Sequence, residues 1–323
     1  MKNTIIIAVI LIVLIGGYFV FKQDSRPVES PKVTISEAFE VFLHAPLWVA
    51  YEKGFFKDEG LDMNISIAGG DEKAWAAVVK GEAQFAVGDP MFVAISGDRG
   101  QQGRVVASIL NGMPFWGVAK NPAVTEIEQA SDLGTYKVAT LPAPSTNYAL
   151  QKQMFESAGL KPNIQEVAFG ALLPALYAGE VDIALEFEPN VSTAVKEGNR
   201  IVYSLSDYYP DFAFTGLTAT PDYIENNPET TQKIVNAFQR ANTYIRTNTE
   251  DAAKALAKRF NIPEDIALNA LKNLVEKNVV TADTITSKDA WDVAANVRRD
   301  LGDLKNAAPY ETYVVTTFSQ KAK

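Results

Sequence analysis

Between residues 32 and 205 short β-rich runs alternate with helix-period runs, and the series halts near Pro122 before it resumes. A strand–helix–strand series can bury both kinds of apolar face only by stacking helices on a sheet. The chain is therefore restricted to layered α/β lobes with largely parallel strands. The first series reads as strands at 32–39, 61–67, 84–87 and 105–110, with helices at 45–56, 71–80 and 89–97. The second reads as strands at 137–141, 164–167, 183–186 and 201–205, with helices at 146–158, 169–178 and 190–197. From Pro221 to Leu301 the pattern is nearly all helical, with breaks at Pro228, Pro263 and Ser287, the last a helix N-cap.

A weak internal repeat joins the two series. Residues 78–87 align without gaps on 176–185, matching Gly81 with Gly179, Glu82 with Glu180 and Ala86 with Ala184. Each copy is a helix end, a glycine, a strand, then an acidic residue and proline: Asp89-Pro90 in one, Glu188-Pro189 in the other. Two readings stand: a duplication, or a similarity imposed by chemistry, because glycine supplies the left-handed residue that ends a helix. Either way two similar lobes follow, divided near 112–118 and 211–217.

The chain has no cysteine and one histidine, which excludes a disulfide framework, thiolate metal sites, a cysteine nucleophile and any metal centre needing two imidazoles. No metal ligand set, cofactor motif or catalytic group is expected. The formal net charge is −9 and Lys and Arg form no dense run, so nucleic acid is not an expected partner. From Ile5 to Phe21 every residue is apolar, Gly or Tyr, a 17-residue run. At 1.5 Å per residue it spans about 25 Å, enough for a short membrane crossing. Tyr18-Phe19-Val20-Phe21 closes it where signal peptidase wants small residues, so an uncleaved anchor is preferred to a signal peptide. The polar stretch 22–31 reads as a tether.

Ligands of open α/β sheets sit at the carboxyl ends of the strands, where helix N-termini open a crevice. The loops at those ends carry His44, Asp71, Asp89, Asn111, Phe115, Ser145, Thr146, Asn147, Glu186, Glu188, Tyr208 and Thr215, which are the candidate ligand-binding residues. Of the aromatics Phe115, Trp116, Phe169, Tyr208 and Tyr209, about two are expected at the ligand and the rest in packing. Trp48 is read as core. Asp71 divides evenly between ligand contact and capping of the helix it opens. Ser145, Thr146 and Asn147 are read as ligand contacts, with plain capping the alternative. Asp89, Glu186 and Glu188 would repel one another in one cleft unless neutralised, and those loops hold no arginine. That charge pattern favours a cationic or amine-bearing ligand.

The stretches HAPLWVAYEKGFFKDEGLDMNI (44–65), GGDEKAWAAVVKGEAQFAVGDP (69–90), PAPSTNYALQKQMFESAGL (142–160), LYAGEVDIALEFEPN (176–190) and FTGLTATPDYI (214–224) resemble the solute-binding proteins of ABC importers. The members meant are those for nitrate, sulfonates, taurine and thiamine pyrimidine precursors. The resemblance implies a two-lobed, periplasmic-binding-protein-like fold of type II, its lobes joined by two crossing strands and its helical C-terminal part packed on the first lobe. With the sequence boundaries this gives an anchor at 1–21, a tether at 22–31, lobe I at 32–112 plus 217–323, and lobe II at 113–216. It also implies a ligand contact at His44, where a structural hydrogen bond is the alternative. A eukaryotic pyrimidine-precursor synthase shares the fold, but its cysteine cluster cannot exist here. The expected protein is a monomeric, extracytoplasmic binder held to the membrane by an N-terminal transmembrane helix. It would deliver an amine-bearing or heteroaromatic small molecule to a permease, the alternatives being a small-anion binder or an extracellular sensor domain.

Overall fold

The computed structural model describes residues 31–322 apart from Pro144, so the anchor expected at 1–21 lies outside the described residues. Among those described, no helix is long and apolar enough to cross a membrane.

The described residues hold ten strands in two five-stranded sheets. The first contains β1 (Lys32–Glu37), β2 (Asp62–Ile67), β3 (Phe85–Gly88) and β4 (Arg104–Asn111), joined by the late strand β10 (Ala213–Ala219). The second contains β5 (Trp116–Ala119), β6 (Val138–Thr140), β7 (Ile164–Glu166), β8 (Ile183–Glu186) and β9 (Arg200–Ser204). The strand orders are β2-β1-β3-β10-β4 and β7-β6-β8-β5-β9. Position by position they have the same topology, and the repeat seen in the sequence places β3 and β8 at the same point of each. Gly81 and Gly179 end the preceding helices at φ +76° and +73°, the left-handed conformation that glycine adopts without strain.

The sheets are mixed, where the alternation predicted largely parallel ones. β10 runs antiparallel between β3 and β4, and β5 antiparallel between β8 and β9. The reason lies in the connections. β5 starts five residues after β4 ends in the other sheet, and β10 returns nine residues after β9 ends. Neither is fed by a helical crossover, the device that keeps successive strands parallel.

Among the described residues seven helices reach eight residues: α1 (Ala45–Glu52), α2 (Asp71–Val79), α3 (Thr146–Ser157), α4 (Pro228–Thr247), α5 (Thr249–Phe260), α6 (Glu264–Glu276) and α7 (Lys288–Asp300). The breaks read in the sequence are helix starts: Pro228 opens α4, Pro263 precedes α6, and the Ser287 hydroxyl accepts the Ala290 N–H at 3.1 Å. Trp48 is buried against Phe260, as expected of a core residue. The C-terminal helices touch both sheet units. α4 and α5 pack on α1, α6 packs on the helix Asn190–Lys196, and α7 lies against β10 and α3.

Candidate functional site

Residues that follow β1, β2 and β3 in one sheet, and β6, β7 and β8 in the other, line one cleft of about 320 Å³. It gathers His44, Asp71, Asp89, Phe115, Ser145, Thr146, Asn147 and Thr215 from the sequence set. To these it adds Phe39, Val41, Leu43, Leu141, Phe169, Phe187, Phe214 and Arg298. Of the five aromatics weighed above, Phe115 and Phe169 line the cleft, while Trp116 is buried in β5.

Four expected residues do not line it. Asn111 ends β4, where its N–H donates to the Val279 carbonyl. The Tyr208 hydroxyl donates to the Ile127 carbonyl at 3.0 Å. Glu186 ends β8 with its carboxylate accepting the Phe187 N–H at 3.0 Å. Glu188, fully enclosed, accepts the Ser192 N–H and hydroxyl, both at 3.0 Å, and the Asn273 amide at 2.6 Å. Between the two glutamates Phe187 takes the cleft, and Glu188 ties the second sheet unit to α6. The expectation of three repelling carboxylates in the cleft therefore fails for two of them.

The arginine-free cleft is also corrected. Arg298, near the end of α7, is ion-paired with Asp89 and donates to Asp303 at 3.1 Å. The Arg298 and Asp89 side chains are 12% and 15% exposed, so the charges meet away from bulk water. Asp89 also accepts the Met91 N–H at 2.8 Å. Asp71 does not cap α2. Its carboxylate instead accepts the Asp89 N–H at 2.8 Å, across a glycine whose added Cβ would stand 2.6 Å from that oxygen. Only glycine at 88 leaves this path open. Burial, then the neighbouring Asp89 charge, holds the Asp71 carboxyl above the usual carboxylate range.

The opposite wall is a donor surface. α3 is 12 residues long, and no side chain caps its first turn: the Ser145 hydroxyl lies 2.8 Å from Asn147 Oδ1 and 3.1 Å from the Leu141 carbonyl. The capping alternative for this segment is not what the chain does. Asn147 is 1% exposed and its Nδ2 has no protein partner. Free helix N–H groups and a buried, unspent amide favour an oxygen acceptor or an anion. Between the walls runs a phenylalanine belt: Phe115 meets Phe187 and Phe214 edge-on, each at 5.9 Å, and Phe169 tilts on Phe187 at 5.8 Å. Phe169 is 67% and Phe39 45% exposed, which puts two large apolar side chains at the rim in contact with water.

His44 is buried beside Glu37, a residue the sequence did not single out. Its Nδ1 lies 2.8 Å from Glu37 Oε1, and Trp48 Nε1 donates to the same oxygen at 3.1 Å. An acidic residue at the carboxyl end of the first strand, seven residues ahead of His44, was the available signal. Among the described residues no cluster of His, Cys, Asp and Glu could hold a metal ion.

A model of the NMT1/THI5-like family matches residues 41–252. The Bacillus subtilis protein YtlA, provisionally named a binding protein, is 23% identical over 300 residues, covering 90% of this chain and 89% of its own. The ligand-binding component of an ABC-type import system from Staphylococcus aureus, solved with zinc bound, is 12% identical with TM-score 0.70, covering 90% of this chain and 99% of that one. The periplasmic aliphatic sulphonate binding protein SsuA from Escherichia coli is 15% identical with TM-score 0.68, over 86% and 95%. The structural likenesses bear out the two-lobed, periplasmic-binding-protein-like α/β fold. Every cleft residue except Phe39 and Arg298 falls inside the span matched by the family model, and the chain belongs to the NMT1/THI5-like family.

Proposed function

We propose that this chain is the extracytoplasmic solute-binding protein of an ABC importer, and that its cargo is a small, planar, amine-bearing molecule such as a pyrimidine precursor. The polarity of the cleft carries the reading. Asp71 and Asp89 offer acceptors on one wall, the open end of α3 with Asn147 offers donors on the other, and phenylalanines fill the space between. A flat ring with an amine at one edge and an acceptor at the other matches both walls and the belt. In this reading lobe I is 32–112 with 217–323 and lobe II is 113–216. They close on the ligand for a permease to recognise, without covalent chemistry and as a monomer.

Arg298 favours a second reading. With Asp89 neutralised by a guanidinium, the charge argument against anions weakens, and the α3 N-terminus suits a sulfonate or nitrate. Calorimetry against an aminopyrimidine thiamine precursor, taurine, methanesulfonate and nitrate separates the two. The aminopyrimidine is expected to bind, and at a hundredfold excess over Kd to stabilise the protein by about 2.7 kcal/mol. Solution scattering should show a smaller radius of gyration on saturation. Asn147→Ala should weaken it by about 0.5–1.5 kcal/mol, one neutral hydrogen bond. Tight nitrate or methanesulfonate binding without aminopyrimidine binding would install the anion reading instead.

Residues 1–21 are proposed as a single-pass membrane anchor and 22–31 as its tether, on the strength of the apolar run Ile5 to Phe21. Full-length protein should stay in the membrane pellet after carbonate washing, and a chain starting at residue 32 should be released with unchanged affinity. A mature N-terminus near residue 22 would show cleavage and remove the anchor.

A further inference from the structure

Glu37 ends β1 with no exposure to solvent, at the junction where the chain turns into the segment that carries His44 and Trp48. One of its oxygens does all the visible work. Oε1 receives Trp48 Nε1–H at 3.1 Å and stands 2.8 Å from His44 Nδ1, while Oε2 is enclosed without a partner. An indole nitrogen can only donate, so Oε1 accepts from Trp48, and opposite an ionised carboxylate the imidazole nitrogen facing it carries the hydrogen. Trp48 is itself held from behind, with the Arg259 guanidinium 3.4 Å from its ring centre. In a neutral imidazole one nitrogen donates and the other accepts, so a hydrogen at Nδ1 leaves a lone pair at Nε2. Nδ1 is spent on Glu37 and His44 lines the cleft, which leaves Nε2 as the ring nitrogen available to a ligand.

We propose that Glu37 is a positioning residue of the cleft: by taking the Nδ1 hydrogen of His44 it fixes the ring as the Nδ1–H tautomer and makes Nε2 an acceptor for a donor group of the ligand. The assignment of a donor group rests on the proposed cargo, whereas the tautomer does not. His44 then joins Asp71 and Asp89 in a wall of acceptors, which orients the ligand with its amine toward β1 and its acceptor edge toward α3. Discrimination follows. An analogue lacking the amine leaves a buried acceptor unpaired and should bind more weakly. Burial holds the Glu37 carboxyl above the usual range, opposed by the bonds from His44 and Trp48, and in its ionised form Oε1 can only accept.

The chain has a single histidine, so nitrogen-15 NMR of the imidazole reports this ring alone. In the unliganded wild type, at a pH where the ring is neutral, the Nδ1–H form is expected to dominate. Glu37→Gln keeps an acceptor oxygen and should preserve that pattern. Glu37→Met removes it and should shift the ring toward the Nε2–H form. With 4-amino-5-hydroxymethyl-2-methylpyrimidine and its des-amino analogue as probes, the wild type should prefer the amine roughly tenfold, the worth of one hydrogen bond. Glu37→Met should lose that preference and Glu37→Gln keep it. A dominant Nε2–H signal in the wild type overturns the proposal, even if Glu37→Met does not fold. So does an unchanged tautomer in a folded Glu37→Met. An Nδ1–H signal without binding of either pyrimidine supports the Glu37 assignment and overturns the proposed cargo.

Discussion

Replacing Arg298 with methionine is expected to destabilise the protein by about 3–5 kcal/mol at neutral pH, the range for removing one partner of a buried ion pair. Methionine keeps most of the side-chain volume, so the loss reports charge and not a cavity. The Asp89 side chain is 15% exposed, and the Asp71 carboxylate stands close by, accepting the Asp89 backbone N–H at 2.8 Å. Without the guanidinium the two carboxylates share a site with little water to screen them. The double variant Asp89→Asn, Arg298→Met should recover most of the loss, because the carboxylate then left without the guanidinium is Asp303, which is 31% exposed and open to solvent. Urea unfolding of the wild type and the two variants measures this, and a single variant within 1 kcal/mol of wild type would show that the pair contributes little.

Glu186→Gln should do the opposite and stabilise the protein at neutral and alkaline pH. Glu186 is 2% exposed. Burial pushes its carboxyl up to about 7, aided by the Glu188 charge and opposed by the Phe187 N–H and the Asn190 amide. A carboxyl whose folded pKa lies above its unfolded value of 4.5 is bound more tightly to its proton in the folded state. Stability therefore falls as pH rises from 4.5 through 7, and the penalty is fully present above that window. At about 1.4 kcal/mol per unit it amounts to about 3 kcal/mol, absent in the amide. Glutamine retains the oxygen that accepts the Phe187 N–H. Unfolding free energies from pH 4 to 8 should converge for the two proteins at the acid end and diverge toward the alkaline end. Parallel curves would mean that Glu186 is charged in the folded state without cost.

Much of this was legible in the residues. Alternating strand and helix periods force helices onto sheets, so the paired α/β units follow from local pattern alone. Gly81, Gly179, Pro228, Pro263 and Ser287 mark helix ends because their backbone preferences act within a few residues. The rule that ligands gather at the carboxyl ends of strands brought His44, Asp71, Asp89 and the 145–147 turn into one list, and the structure gathers them in one cleft.

The failures share one cause. All four residues of β8 are buried, so the strand shows no alternation from which to tell that Phe187, and not Glu186 or Glu188, takes the cleft. Nothing local says that β5 and β10 run against their neighbours, because the direction of a strand is set by the element that feeds it. Arg298 lies 209 residues beyond Asp89, on a helix whose buried residues Ala290, Trp291, Ala294, Ala295 and Val297 seat it in the core. By itself the sequence determined the kinds of element, their ends and the two-unit plan, because periodicity and capping are properties of neighbouring residues. Which charges meet, which face of a wholly buried strand is functional, and that a C-terminal helix supplies the cleft's arginine were decided only by tertiary packing, because those contacts join segments that no local pattern relates.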